Sequence, residues 1–168
     1  MTLTPDQRRA FIALLAPAAQ ASAAKYGVPA SVTLAQAILE SGWGQTRLAI
    51  EDNNYFGIKQ HGVTEYAEFP TTEYINGVSK VVNANFAKYP TAADAFADHA
   101  ALLTELARYA PAMAVKGDPQ QFAAQLGPCG YSTNPGYGAL LWTLITEYDL
   151  TQYDNDDPGP AAIQDAST

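Results

Sequence analysis

Residues 29–46, PASVTLAQAILESGWGQT, contain the pattern of one helix with both of its ends. Pro29 suits the first turn of a helix, and Gly42 suits its end because glycine readily adopts the left-handed conformation. Apolar residues recur between them at helical spacing, namely Leu34, Ala35, Ile38 and Leu39. The sequence therefore predicts a helix from Pro29 to about Ser41 with one apolar stripe.

Glu40 lies at the end of this predicted helix, just before the Gly-Trp-Gly triplet at 42–44. The negative end of the helix dipole raises the pKa of a carboxyl placed there, and burial beside Trp43 would raise it further. The flanking glycines would let the backbone approach a bulky ligand closely. Gln36 lies one turn earlier on the same face. Two interpretations stay open: a solvated glutamate, or an acid held in a cleft.

The N-terminal residues fit either a signal peptide or a structural helix. Two arginines followed by small apolar residues up to position 24 are typical of a signal peptide, but Pro17 interrupts the run. Thr4 and Gln7 instead have the spacing of a capping box. We therefore expect a structural helix, and its predicted apolar face comprises Phe11, Leu14, Leu15 and Ala18. No stretch approaches the roughly 20 apolar residues of a membrane span, so no membrane insertion is expected.

The middle of the chain changes to strand-forming residues. Asn76-Gly77 lies between two such runs and is typical of a tight hairpin turn. We expect strands over about 64–75 and 78–87, inside a β-lobe of residues 63–89, and a loop over 45–62. Helical patterns resume afterwards, and they cover about 91–107, 118–127 and 133–148. The predicted fold class is α+β, mostly α, with one small hairpin lobe.

Composition favours one folded domain, residues 1–150, followed by an acidic tail. The chain has 168 residues, 48% of them apolar, and a net charge of -8. The segment 151–168 has four aspartates and no base, and it lacks periodicity, so we expect it to be disordered. No basic patch is present, which argues against a nucleic-acid partner.

The remaining side chains narrow the possible chemistry. Cys129 is the single cysteine, which excludes an internal disulfide framework. His61 and His99 lack the spacing of metal ligands, and we expect His99 to be packed and His61 to lie in a loop. No metal ion and no cofactor are expected. Carboxylates are then the best candidates for acid-base chemistry.

A glycosidase usually needs a second carboxyl group opposite the first. The hairpin lobe supplies three candidates, Glu65, Glu68 and Glu73, and spacing does not choose among them. The chain also has ten tyrosines. Those beside loops would serve either as core residues or as aromatic surfaces for sugars, and they are Tyr55, Tyr109, Tyr131 and Tyr137.

Six motifs in one order resemble glycoside hydrolase family 73, the glucosaminidase module of flagellar FlgJ-type proteins and many bacterial autolysins. They are AQAILESGWG (35–44), NNYFGIK (53–59), TTEYINGVSK (71–80), FAKYPTAADAFADHAALL (86–103), ARYA (107–110) and YSTNPGYGALLWTLITEYDL (131–150). The resemblance covers about residues 8–150. Three positions depart from the usual pattern of the family, namely Ala87, Ala107 and Asn134.

The resemblance implies a lysozyme-like fold, in which a helical lobe and a hairpin lobe flank a glycan groove. It also implies cleavage of the β-1,4 bond between N-acetylglucosamine and N-acetylmuramic acid in peptidoglycan. Glu40 matches the general acid, Glu73 the second carboxylate, and Tyr131 a tyrosine near the acid that is important for activity. Five further residues match positions that line or support the groove, namely Trp43, Asn54, Phe56, Tyr109 and Tyr137.

The resemblance leaves alternatives open. A lytic transglycosylase or muramidase of the same superfamily, or a non-catalytic glycan-binding module, would share much of this pattern. Inverting and substrate-assisted routes stay open as well. Peptidoglycan strands are the expected partner of a monomer located in the periplasm or cell wall. Flagellar or other export machinery is a candidate partner, since no convincing signal peptide is found.

Overall fold

The structure is a computed structural model that describes residues 1–62 and 65–155. These residues form a helical body and one antiparallel hairpin, which confirms the predicted fold class. The α-helices are α1 (Pro5–Tyr26), α2 (Ala30–Ser41), α3 (Arg47–Asp52), α4 (Ala92–Glu105), α5 (Ala110–Met113), α6 (Pro119–Leu126) and α7 (Tyr137–Glu147). The strands are β1 (Glu65–Ile75) and β2 (Val78–Lys88), and two 3-10 helices cover Ala107–Tyr109 and Leu150–Asp154.

Helix α1 is part of the folded body, as the structural-helix interpretation predicts. The Thr4–Gln7 capping box forms, and the helix packs against α2 and α4. The predicted apolar face was wrong in part, because Leu14 is 73% exposed. The buried face is instead rich in small residues that allow close helix packing, and comprises Ile12, Leu15, Ala16, Ala19 and Ser22. No helix among the described residues is long and apolar enough to cross a membrane.

Helix α2 occupies the centre of the body. Every residue from 30 to 38 is buried, because α1, α6, α7 and the last 3-10 helix surround it. The predicted single stripe was therefore wrong, and Leu39, which was assigned to it, is 37% exposed. The helix ends as predicted at Gly42, in the left-handed region with φ 55°. Its last turn, which carries Glu40, is thus the part of α2 that reaches the surface.

The prediction of a disordered tail over residues 151–168 was wrong for residues 151–154, which are ordered. Leu150–Asp154 forms a 3-10 helix, Leu150 is fully buried, and the Asp154 carboxylate accepts a hydrogen bond from the Ser31 backbone N–H at 2.8 Å. The physical reason lies in α2, whose N-cap, Pro29, has no side chain that can accept a hydrogen bond. Asp154 satisfies a free N–H group of that helix from 123 residues away. Residues 156–168 lie outside the described part.

The hairpin is confirmed with a register that runs from Glu65 opposite Lys88 to Ile75 opposite Val78. Asn76 and Gly77 have φ values of 53° and 77°, which are typical of the type I′ turn. Alternate residues of β1 are half-buried and define an inner face, which comprises Ala67, Phe69, Thr71 and Glu73. The two strands contact mainly each other rather than the helical body.

The segment 45–62 was predicted as a loop and contains the short helix α3. Thr46 caps it by accepting a hydrogen bond from Ala49 N, and Asn53 ends it with φ 54°. Only Ala49 and Asp52 of this helix are buried, so it has no apolar periodicity for a sequence pattern to reveal. The predicted helices over 91–107 and 118–127 correspond to α4 and α6, whereas the last one begins later than predicted, as α7.

Candidate active site

A groove of about 660 Å³ lies between the segment 56–61 and the C-terminal half of α4. Glu40 forms part of its wall together with Phe56, Tyr109 and Tyr131, so the structure brings four of the predicted site residues to one place. A larger cavity of about 830 Å³ lies between the N-terminal part of α1 and the C-terminal end of α7. None of the predicted site residues lines that cavity, so the smaller groove is the candidate site.

The environment of Glu40 suits a carboxylic acid. Burial raises the pKa of its carboxyl above the ordinary value, although part of the side chain stays open to the groove. The Tyr137 hydroxyl donates a hydrogen bond to Glu40 Oε1 at 3.0 Å and lowers the pKa again in part. Glu40 is therefore held in one position and remains protonated to a higher pH than a solvated glutamate.

Tyr137 connects Glu40 to the core. It is 3% exposed, and its hydroxyl accepts a hydrogen bond from Gln36 Nε2 at 3.0 Å. The Tyr131 ring stacks on the Tyr137 ring, with centroids 5.6 Å apart and an angle of 16° between the planes. Burial raises the pKa of both tyrosines, so both hydroxyl groups keep their protons near neutral pH. Tyr137 therefore does not line the groove itself, but it contacts the candidate acid from the side of the core.

Another part of the groove lining is built on aromatic rings. Phe56 stacks on His99 with centroids 4.0 Å apart. Burial lowers the pKa of His99 to about 3, so the ring is neutral, and neither ring nitrogen has a partner among the described residues. His99 is packed, as predicted. Tyr109 contacts Tyr131 with ring centroids 6.1 Å apart, and the Arg108 guanidinium lies 4.7 Å from the Tyr109 ring.

Asn54 supports the groove from behind. The side chain is 1% exposed, and Nδ2 donates to the carbonyl oxygens of Ile58 and Ala87, each at 2.9 Å. Its Oδ1 accepts from the backbone N–H groups of Phe56 and Ile58, at 3.3 and 3.1 Å. Asn54 therefore holds the segment that carries Phe56 against the base of the hairpin.

Glu73 does not line the groove, but an ion pair ties it to the rim. Glu73 Oε1 lies 2.5 Å from Nζ of Lys59, a residue that does line the groove. Lys59 pairs with Phe86, which lies opposite Ala67. In a flat hairpin, Glu73 would be roughly 20 Å further along β1 than Ala67, too far for this contact. The hairpin must therefore curl and bring Glu73 back toward the groove.

The other two candidate carboxylates of the hairpin have different positions. Glu68 lies on the outer face, where its carboxylate accepts a hydrogen bond from Asn83 Nδ2 at 3.1 Å. Glu65 lies at the exposed base of the hairpin opposite Lys88. Neither of them contacts a residue of the groove wall through a side-chain hydrogen bond in the described part of the chain.

Trp43, which was predicted to line or support the groove, lies outside its lining, so a role of Trp43 at the site stays a prediction. Its ring packs edge-on against Tyr148 and Phe11, at centroid distances of 4.9 and 5.8 Å, and Arg8 lies over it at 5.1 Å. Residues 42–44 all have positive φ, which turns the chain toward α1. A Cβ on Gly44 would lie 2.6 Å from the Phe11 ring. Gly44 therefore permits close packing against α1.

Sequence reasoning gave no role at the site to three residues that lie in it or beside it. Lys59 and Arg108 line the groove, and Gln36 lies behind it. The spacing of Gln36 and Glu40 on one helical face was the available signal. Within the described residues, no three His, Cys, Asp or Glu side chains are grouped as a metal ion would require.

Comparison with known proteins identifies the family. The profile described as "Glucosaminidase: Mannosyl-glycoprotein endo-beta-N-acetylglucosaminidase" matches residues 16–150. The chain belongs to the glucosaminidase family. This confirms the resemblance drawn from the six motifs, and Glu40, Tyr131 and Tyr137 all lie inside the matched range.

Two relatives illustrate the similarity of this chain to named peptidoglycan enzymes. The chain is 35% identical to exo-glucosaminidase LytG of Bacillus subtilis, over 94% of this chain and 57% of LytG. It is 39% identical to the peptidoglycan hydrolase FlgJ of Escherichia coli, over 85% of this chain and 47% of FlgJ. It thus spans about half the length of these relatives.

A solved structure in the same family agrees over nearly the whole chain. The catalytic domain of the autolysin Auto from Listeria monocytogenes superimposes with a TM-score of 0.81 at 33% identity, covering 92% of this chain and 91% of that domain. The helical body and hairpin described above are therefore those of a glucosaminidase-family domain.

Proposed function

We propose that this domain hydrolyses the β-1,4 bond between N-acetylglucosamine and N-acetylmuramic acid in peptidoglycan, with Glu40 as the general acid. The observation that carries this proposal is the position of Glu40. It lies at the wall of the groove, with a pKa raised by burial and a hydrogen bond from Tyr137. A carboxyl group that remains protonated beside a substrate groove is what departure of a sugar leaving group requires.

In the proposed first step, Glu40 donates its proton to the glycosidic oxygen as the bond from that oxygen to the anomeric carbon breaks. Positive charge then develops on the sugar ring. The carboxylate left on Glu40 keeps its hydrogen bond from Tyr137, which stabilises the negative charge. The proposed role of Tyr131, whose ring stacks on that of Tyr137, is to orient the N-acetyl group of the sugar or the attacking water.

The second step requires a nucleophile at the anomeric carbon, and Glu73 is the proposed base. Its carboxylate is held at the rim by Lys59 rather than in the groove. The hairpin makes few contacts with the helical body, so closure of the hairpin over bound glycan would move Glu73 toward the sugar. In the substrate-assisted alternative, the N-acetyl oxygen attacks the anomeric carbon and Glu73 stabilises the intermediate.

The charge of the groove supports an anionic glycan as substrate. The whole chain has a net charge of -8, yet Lys59 and Arg108 line the groove and Glu40 is the one carboxylate in its wall among the described residues. Lys59 is paired with Glu73, so Arg108 is the lining cation that would attract the lactyl and peptide carboxylates of peptidoglycan in this arrangement. The aromatic rings of Phe56, Tyr109 and Tyr131 offer apolar faces to sugar C–H groups.

We propose that the domain acts as a monomer in the periplasm or cell wall, where peptidoglycan lies. Flagellar or other export machinery is the proposed route of delivery.

The proposed mode of cleavage is endo. Endo cleavage releases long soluble fragments early in digestion, whereas exo cleavage releases disaccharide-sized products from the start. The size distribution of the first products of digestion therefore tests this part of the proposal.

Release of soluble fragments from purified peptidoglycan tests the role of Glu40. We expect Glu40→Gln to reduce release by a factor of about 10³ or more, since loss of a general acid typically costs 10²–10⁴-fold. Glu68→Gln is the matched control, because Glu68 lies on the outer face of the hairpin, and it should retain the parental rate. Turnover by Glu40→Gln at the rate of Glu68→Gln would refute the assignment.

The same assay tests Glu73. Glu73→Gln should slow release, and proton NMR of the first product separates the two routes. Inversion at the anomeric carbon supports attack by a water that Glu73 activates, whereas retention supports attack by the N-acetyl group. An unchanged rate in Glu73→Gln would exclude Glu73 from both routes.

A further inference from the structure

The hydroxyl group of Tyr137 lies between two side chains, and its hydrogen bonds can be assigned by counting protons. It is 3.0 Å from Gln36 Nε2 and 3.0 Å from Glu40 Oε1. An amide nitrogen only donates, so the Tyr137 oxygen accepts the bond from Gln36. The single hydroxyl proton of Tyr137 must then go to Glu40. Oε1 is therefore an acceptor in this arrangement.

We propose that Gln36 and Tyr137 form a positioning relay that keeps the acidic proton of Glu40 on Oε2, the oxygen that meets the glycosidic bond. This rests on the proposed role of Glu40 as general acid. A protonated carboxyl group carries its proton on the oxygen that is not already accepting a bond from Tyr137. Oε2 has no hydrogen-bond partner within the described residues, so it is free to donate to a substrate.

The burial of Gln36 supports this arrangement. Its side chain is fully buried on α2. Gln36 Oε1 is a buried acceptor with no partner among the described residues, which costs stability. A hydrophobic side chain of similar size would avoid that cost. The amide is thus better explained by its bond to Tyr137 than by the stability of the core.

The opposite amide orientation would reverse the relay. Gln36 Oε1 would then accept the Tyr137 proton, and Tyr137 could only accept a proton from Glu40. That arrangement would place the acidic proton of Glu40 on Oε1, the oxygen that contacts Tyr137, rather than on Oε2. It would also leave a half-buried Glu40 carboxylate without its donor, which Tyr137 supplies in the structure.

Other titratable groups face the same groove but do not bond to Glu40 in the structure. They are Lys59, His61, His99, Arg108, Tyr109 and Tyr131. The Tyr137 bond is consequently the specific contact through which a buried residue of α2 can act on the acid. Substitution of Tyr137 or Gln36 should therefore change the titration midpoint of Glu40 through this bond, which none of the other groups shares.

Titration of Glu40 tests the relay without using activity. The full chain is labelled with ¹³C at glutamate carboxyl groups, and the Glu40 resonance is identified by its loss in Glu40→Gln. We expect Tyr137→Phe to raise the midpoint of Glu40, because the donor that favours its charged form is removed. Gln36→Met should raise it by a smaller amount. Tyr109→Phe, which removes a hydroxyl that does not bond to Glu40, should leave the midpoint unchanged.

The double variant separates a relay from general damage to the fold. If Gln36 acts through Tyr137, then Gln36→Met should have no further effect on the midpoint in a Tyr137→Phe background. The alkaline limb of the pH profile of kcat/KM should move upward with the midpoint in Tyr137→Phe. If Gln36→Met does not fold, Tyr137→Phe still carries the test, because it keeps the buried ring.

The outcomes distinguish this proposal from the proposed function. An unchanged Glu40 midpoint in Tyr137→Phe, or full additivity of the two substitutions, would overturn the relay even if Glu40→Gln is inactive. An active Glu40→Gln would instead overturn the role of Glu40 as acid, whatever the titration shows.

Discussion

Replacement of Asn54 by alanine should destabilise the fold strongly, because the side chain of Asn54 is buried and fully hydrogen-bonded. Its side chain makes four hydrogen bonds to backbone groups of Phe56, Ile58 and Ala87. Two of these bonds are buried and two are partly buried. Asn54→Ala leaves the backbone groups without these partners in a place that water reaches poorly.

The magnitude follows from the individual bonds. A net contribution of about 1 kcal/mol for each bond, and more where the abandoned group stays buried, gives roughly 3–5 kcal/mol in total. This is a large part of the stability of a domain, which is about 5–15 kcal/mol. Asn54→Ala should therefore lower the free energy of unfolding by that amount and loosen the groove segment that Asn54 holds.

Equilibrium denaturation in urea measures this effect. Asn83→Ala is the matched control, because Asn83 is exposed on the hairpin and its side chain makes one hydrogen bond, to Glu68. It should change the free energy of unfolding by less than about 0.5 kcal/mol. A loss below about 1 kcal/mol for Asn54→Ala, with an unchanged denaturant slope, would refute the structural role assigned to Asn54.

Three further predictions concern stability. Gly138→Ala should lower the free energy of unfolding by about 1–3 kcal/mol, because a Cβ there would lie 2.8 Å from Ala124 Cα. Gly117→Ala is the control and should be nearly neutral, because Gly117 has open space around it. Denaturation of both variants checks this prediction. Asp154→Ala should cost about 1–2 kcal/mol and reduce the protection of the first turn of α2 in amide hydrogen exchange; equal protection in both proteins would contradict the capping role. Because burial raises the pKa of Glu40, ionisation of this residue costs stability only as the pH rises through its folded pKa. Glu40→Gln should therefore be more stable than the parent at neutral pH and equally stable below about pH 4, and a pH-independent difference would contradict the raised pKa.

Local signals in the sequence predicted the ends of several elements well. The capping box at Thr4 fixes the start of α1, and Asn76-Gly77 fixes the hairpin turn and hence its register. These signals depend on a few neighbouring residues, and the structure has the same backbone conformations that they require. Element boundaries of this kind are encoded locally.

Features that depend on distant contacts were not predictable. Composition predicted disorder over residues 151–168, because it does not show that Asp154 caps α2 from 123 residues away. Trp43 was expected at the groove because it matches a position of the family, whereas it lies outside the groove lining and packs against Phe11 and Tyr148. Glycine is needed at position 44 because a Cβ there would clash with the Phe11 ring, and no local pattern reveals this contact. Leu14 was assigned to the core by hydrophobicity, but the small residues of α1 face the core instead.

The candidate site likewise has features that local sequence shows and features that depend on distant contacts. Glu40 and Gln36 share a helical face that spacing alone shows. The residue that connects them, Tyr137, lies 97 positions after Glu40, and only the fold brings its hydroxyl between the two. The position of Glu73 likewise depends on the curl of the hairpin and on Lys59, neither of which follows from strand propensity.

Identification of the sugar at the new reducing end tests the central claim most directly. Peptidoglycan is digested with the parent chain, reduced with borohydride and analysed by mass spectrometry, with Glu40→Gln as the blank. We expect reduced N-acetylglucosamine at the new ends after digestion with the parent chain, and none after digestion with Glu40→Gln. Reduced N-acetylmuramic acid or an anhydro end would contradict it and would indicate a muramidase or a lytic transglycosylase, and no new ends would indicate a glycan-binding module.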